Sequence, residues 1–193
     1  MVSQIKVNEI IKQSGSSITI GESGDTITLT GSTVTMPSGA TLSNFPDNTP
    51  AFFAYAGANQ TITNNTWTKI NINTEDLDTD STYDHSTNYR FTPAVAGKYL
   101  FNFGANIFTS SQTDINYIQV AVYKNGSSHV FMYDDYQASR IYGSQTNGSC
   151  TITSDTDDYF ELYARCQSNS GGNPVVQGHS GRVTFFGAIK VIG

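Results

Sequence analysis

Residues 83–103, YDHSTNYRFTPAVAGKYLFNF, decide how the rest of this chain is read. An acidic turn leads to an arginine set between aromatic residues, the chain bends at Thr92-Pro93, and a long alternating run opens at Gly97. From there Tyr99, Phe101, Phe103, Ala105 and Ile107 fall on one face, and Lys98, Asn102, Gly104 and Asn106 on the other. A period of two marks a strand with one buried and one wetter face.

Working outward, the same pattern predicts strands over 51–55, 67–72, 90–92, 98–108, 117–123, 128–133, 149–153, 159–166 and 182–192. Their spacing is that of a jelly roll. Ile118, Val120 and Val122 point inward in the run that ends at Asn125-Gly126, a strong hairpin turn. In the last run Val183, Phe185, Gly187, Ile189 and Val191 share a face. No helical period interrupts the series, so the expected fold is all-β: a jelly-roll β-sandwich over 49–193.

Composition agrees. Of the 193 residues only 13% are charged, and Thr, Ser, Asn, Gly and aromatics are plentiful, which suits strands and turns. A net charge of -6 without any basic run excludes binding to nucleic acid by phosphate neutralisation. The opening MVSQIKVNEIIKQSGSS lacks the apolar centre and cleavage site of a signal peptide, and no apolar run is long enough to cross a bilayer. The expectation is a soluble chain that is not exported.

Residues 1–48 read differently. Ile18 and Ile20, Ile27 and Leu29, Val34 and Met36, and Ala40 and Leu42 form short apolar pairs punctuated by Gly21, Gly24, Gly31 and Gly39. One copy has too few apolar groups to build a core, whereas three copies around an axis could pack each strand on its equivalents. The readings are a trimeric β stalk and a flexible linker; the alternation favours the stalk. The boundary to the second domain falls near Pro46 to Pro50.

The only cysteines, Cys150 and Cys166, sit in alternating strands with their thiols toward the core. A bridge between them is conceivable if residues 155–158 turn one strand back along the other, while a reducing compartment argues for free thiols.

Residues 50–193 resemble the globular head of complement subcomponent 1q, a relative of tumour necrosis factor (TNF). PAFFAY at 50–55 and TWTKI at 66–70 resemble the family's first strands. In the central stretch Phe91, Pro93, Gly97, Tyr99 and Phe101 occupy the signature's places. VYKNG at 122–126, SDTDDYFELYA at 154–164 and TFFGAIKV at 184–191 follow in the family's order. Asn88 stands where the family usually has glycine, a replacement that asparagine's tolerance of left-handed angles would permit. The resemblance implies a homotrimer that binds and displays and is not an enzyme. It also implies a last strand that lines the trimer centre.

The opening SQIKVNEIIKQSGSSITIGESGDTITLTGSTVTM is similar in style to the N-terminal segments of bacteriophage virion fibres. The expectation is therefore a structural virion protein located in the particle: a trimeric tail fibre or appendage, attached through 1–48, whose distal knob adheres to the host surface. Its partners would be its own copies, other virion proteins, and a host glycan or protein. The alternatives are a capsid decoration (cement or head-fibre) protein and a lectin-like glycan-binding module.

Four candidate sets follow. Phe52, Phe53, Phe185 and Phe186, from the first and last strands, are expected at the trimer interface. Asp76, Asp78, Asp80 and Asp84 have the spacing of a calcium loop, though Ser81 replaces its glycine and Thr87 its last carboxylate, so a solvated acidic loop is the favoured explanation. Tyr133, Tyr136 and Tyr142, around the loop DDYQASRIYGSQTNGS, could stack on sugars while neighbouring amides read hydroxyls. Catalysis has no candidate: His85, His129 and His179 lack ligand-spaced partners, and no nucleophile elbow is present. No cofactor other than calcium is expected.

Overall fold

A computed structural model describes Thr26 and residues 48–111 and 114–191. The predicted strand pairs of 1–48 and the last predicted strand residue, Ile192, lie outside the described residues. Two antiparallel sheets form a sandwich, with no helix among the described residues. Sheet A holds β1 (Ala51–Tyr55), β2 (Gln60–Thr61), β4 (Thr74–Asp78), β7 (Gly97–Phe108), β10 (Gly143–Ser154), β12 (Val175–Val176) and β13 (Phe185–Val191). Sheet B holds β3 (Thr68–Lys69), β5 (Tyr83–Asp84), β6 (Arg90–Phe91), β8 (Ile115–Lys124), β9 (Ser127–Asp135) and β11 (Phe160–Ser168).

The predicted face of β7 is the core face. Tyr99, Phe101, Phe103, Ala105 and Ile107 are all fully buried. Ile118, Val120 and Val122 on β8, with Phe160, Leu162, Ala164 and Cys166 on β11, meet them from the other sheet. Each large side chain buried this way contributes about 1.5–3 kcal/mol relative to exposure.

The central stretch works as a corner between sheets. β5 and β6 pair with each other in sheet B, Tyr83 opposite Phe91, and the chain then turns at a buried Pro93 into β7 of sheet A. Phe91 thereby sits among rings from both layers: Phe52 at 4.5 Å, Tyr99 at 5.7 Å, Phe101 at 6.2 Å and Phe160 at 6.4 Å. The hydroxyl groups of the two buried tyrosines are satisfied, Tyr83 Oη donating to the Ile72 carbonyl and Tyr99 Oη to that of Val95. Burial, with Asp80 adding to it, pushes the Tyr99 phenol up to about 12.

The turn inside the corner is wound around Asp84. Its carboxylate accepts the backbone amides of Ser86, Thr87 and Asn88 and the Asn88 side-chain amide. The Thr87 amide is the largest of the influences that hold Asp84 well below the usual carboxylate range, against a smaller opposing contribution from burial. Asn88 is not the left-handed residue; Tyr89 is, at φ 49°. With Asn88 fixed at the end of the capped turn, the reversal falls one residue later.

The Asn125-Gly126 turn forms as predicted, both residues at positive φ, and joins β8 to β9. Asp158 ties this hairpin to the β10–β11 turn by accepting from Asn125 Nδ2 and pairing with Lys124 at 2.7 Å. Burial alone would raise its carboxyl; Lys124, the Asp155 amide and Asn125 together hold it low.

Three segments depart from the sequence reading. Residues 74–78, expected in an acidic loop, are an edge strand against β1. Residues 143–148, polar and without alternation, pair with the whole second half of β7, so β10 starts well before 149 and the expected long loop shrinks to 136–142. The cysteines stand on strands of different sheets and are free, so residues 155–158 do not lay one strand along the other. Cys166 is buried as expected, and burial, reinforced by Asp114, pushes its thiol up to about 12.

Replacing Phe91 with alanine should cost about 3–5 kcal/mol, the usual range for a buried phenylalanine. Chemical denaturation would measure it; a loss under ~1 kcal/mol would remove Phe91 from its central place. Asp84, whose folded-state pKa is depressed, stabilises fully above its unfolded value of ~4 and less as the pH falls through and below it. Asp84→Ala should therefore lower the melting temperature at neutral pH, and its deficit relative to the unaltered protein should narrow below pH ~4. A deficit constant across that range would contradict the assignment.

Candidate functional site

The four phenylalanines expected at one interface divide between two faces. Phe52 and Phe186 are 2% and 0% exposed and stack inside the protomer against Tyr83, Phe91 and Phe101. Adjacent strand residues point oppositely, so 52 and 53 could never share a face, nor could 185 and 186. Phe53 and Phe185 remain on the outer face of sheet A, their rings 6.0 Å apart.

The part of that outer face around β1 and β13 is apolar and flat, bordered by Lys98 and Asn102 of β7 and by Ser149, Thr151 and Thr153 of β10. Cross-strand register aligns Leu77, Phe53, Gly187 and Asn102 in one row, and Ala51, Ile189 and Leu100 in the next. Of the eight large hydrophobic residues left exposed among the described residues, Leu77, Leu100, Ile189 and Val191 all belong here. Two glycines explain the flatness. A Cβ on Gly187 would stand 2.9 Å from the Phe53 ring, and one on Gly104 would stand 3.0 Å from the Phe185 ring. Both rings therefore lie down over backbone instead of standing off the sheet.

The four aspartates do not converge. Asp76 pairs with Arg182. Asp78 accepts the amides of Asp80, Thr82 and Tyr83 and the Thr82 hydroxyl, while Asp80 accepts from Thr79. Asp84 is spent on its own turn. Among the described residues no three His, Cys, Asp or Glu side chains are placed to hold a metal ion. Asp76 and Asp78 belong to one strand and Asp84 to the next.

The three tyrosines are also separated. Tyr133 stands on the outer face of sheet B, 5.7 Å from Tyr117. Tyr136 is half-buried, its hydroxyl on Ser144 Oγ. Tyr142 stacks on Phe108 and, with Asn106, Gly143 and Gln177, lines a shallow cavity of about 260 Å³ beside the end of β7.

Sheet B carries the aromatic concentration that sequence reasoning missed. Tyr123 and Tyr163 stack at 3.8 Å and 18°. Trp67 stands edge-on to Tyr123 at 6.0 Å and to Phe131 at 6.4 Å, and Phe131 is 54% exposed. Burial raises the Tyr123 phenol against an opposing effect of Arg165, and burial, then Glu161, raises that of Tyr163. Beside this group, register aligns Arg165, Gln119 and Tyr133. The Arg165 guanidinium lies 5.6 Å over the Tyr117 ring and donates to Asn65 Oδ1. Gln119 Oε1 is shielded from solvent and has no hydrogen-bond partner. The signal was present in the outward positions of 117–123, namely Tyr117, Gln119, Ala121 and Tyr123.

No family model matches the sequence, and no curated protein matches it. Solved structures do. The chain is similar to Eiger TNF from S. frugiperda at 9% identity and a TM-score of 0.57, over 75% of this chain and 94% of that one. Murine APRIL follows at 10% and 0.52, over 73% and 98%. The globular domain of zebrafish complement 1qA protein matches at 16% and 0.50, over 74% and 97%. Identities this low carry the fold alone. The described residues form an antiparallel jelly-roll sandwich of the kind seen in TNF and the complement-1q head.

Proposed function

We propose that three copies of this chain associate through the outer face of sheet A, and that the trimer is a bacteriophage appendage that binds and displays, without catalysis. The observation that carries the reading is the exposed aliphatic face of Leu77, Leu100, Ile189 and Val191 around the flattened rings of Phe53 and Phe185. An exposed apolar patch rimmed by polar residues calls for a partner, and a closed ring of identical copies supplies one. Three rather than two is favoured by the leading segment, whose apolar pairs make a core only when triplicated, and by the trimer that the complement-head resemblance implies.

The place in the particle rests on the fibre-like character of residues 1–48. In this reading that segment holds the trimer to the virion and forms a stalk, and residues 49–193 are the distal knob on the host surface. Three linked knobs allow each contact to be weak.

Light scattering should give the mass of three chains for the unaltered protein. Ile189→Asp would place a carboxylate in the seam and should weaken association by about two orders of magnitude or more. Circular dichroism should retain the β signature, because Ile189 is already 37% exposed in the protomer. A monomeric unaltered chain, or an Ile189→Asp trimer of normal strength, would overturn the association. A virion map would test the location: density at the shell surface in place of an appendage tip would favour capsid decoration.

A further inference from the structure

The two outer faces of the sandwich have different chemistry. Sheet A collects exposed aliphatic groups, whereas sheet B collects rings interleaved with hydroxyl, amide and guanidinium groups. We propose that the outer face of sheet B, built by Trp67, Tyr123, Phe131 and Tyr163 and flanked by Gln119 and Arg165, is a carbohydrate-binding platform. The proposal rests on the adhesion reading above and names the chemistry of what the knob would bind: an uncharged glycan.

Sugars present two surfaces, a patch of C–H groups on the pyranose face and a rim of hydroxyls. An aromatic face meets the first, and fixed amides and hydroxyls meet the second. The Tyr123–Tyr163 stack, with Trp67 set against it and the open ring of Phe131 beyond, offers adjacent apolar surfaces for successive sugar units. The register that puts Phe131 opposite Ala121 and Tyr163 opposite the same Ala121 keeps a small side chain between two large ones. Gln119 Oε1, one row away, is an acceptor without a donor. A buried acceptor left unpaired is costly, so rotation of the Gln119 amide toward the surface, where a sugar hydroxyl could donate to it, would relieve that cost.

Charge argues for a neutral ligand. Lys69 is held by Glu161 at 2.9 Å and also donates to the Asn88 carbonyl, and Arg165 is engaged by Asn65. Arg90, the third cation of this face, lies over the Tyr159 ring at 4.9 Å, and the chain as a whole carries -6, which repels anionic polymers. A trimer closed through sheet A would leave sheet B, the opposite side of each sandwich, on its periphery. Three platforms would then face outward, and repetition would raise a weak single-site affinity.

The chain's single tryptophan is Trp67, so its fluorescence reports on this face directly. The unaltered full chain would be screened on an array of bacterial-surface and neutral oligosaccharides, and each one retained would be titrated in solution while Trp67 emission is followed. The expected result is a saturable change in emission, with affinity lowered about tenfold by Phe131→Ala or Tyr163→Ala. Phe131 is 54% exposed, so its removal leaves the fold and the trimer mass unchanged. Retention of no oligosaccharide would overturn the proposal. So would binding that both substitutions leave untouched, or binding lost on Tyr142→Ala alone, which would move the site to the sheet A cavity. Ile189→Asp separates the two proposals: a monomer should keep the solution change in emission and lose only the avidity on the array.

Discussion

The structure depends on one ring in contact with both layers. Phe91 belongs to a strand of sheet B only two residues long, yet it meets Phe52, Tyr99 and Phe101 of sheet A and Phe160 of its own sheet. That cluster fixes which face of β1, β7 and β11 is interior, and strand geometry then dictates every outward position. A one-residue slip of any of these strands would put its rings in solvent and its polar residues in the core. The Pro93–Gly97 corner matters for the same reason, because it delivers Phe91 and Tyr99 to the core from opposite sheets.

Once the interior is fixed, the outer faces are free to differ. Phe53 and Phe185 lie flat because Gly187 and Gly104 leave room for them. Sheet B has Ala121 where sheet A has glycine, and its rings form stacked and edge-on pairs with polar groups between them. Three aspartates serve neither face. Asp78, Asp84 and Asp158 are spent on amides and hydroxyls of turns, which keeps the turns in place and leaves these carboxylates little to offer a cation.

Much of the fold was legible because the core strands alternate strictly. The β7 face, the Asn125-Gly126 hairpin and the inward rows of β8 and β11 could be read one residue at a time. Where packing overrides local pattern, the reading failed. Residues 143–148 become a strand because β7 offers a long unpaired edge, not because their own sequence asks for it. Residues 74–78 look like a ligand loop when only carboxylate spacing is counted, but β1 needs a neighbour on its free side. The candidate sites were less legible still. Trp67, Tyr123, Phe131 and Tyr163 come from distant segments, so no window of sequence contains them together. Phe52 and Phe53 cannot share an interface, since the alternation that identifies the strand also separates them.

A sandwich whose core is filled with rings offers its ligands mainly the outside. Its largest side chains fill the space between the sheets, and the cavity beside Tyr142 is small and open to the surface. Recognition by such a domain has to occur on a face or an edge, where solvent competes and each contact is weak. Weak contacts become useful when they are repeated in register, and symmetry supplies that repetition at no cost in new sequence. In the proposed trimer the aliphatic face would set the number of copies, and the aromatic face would set what those copies hold.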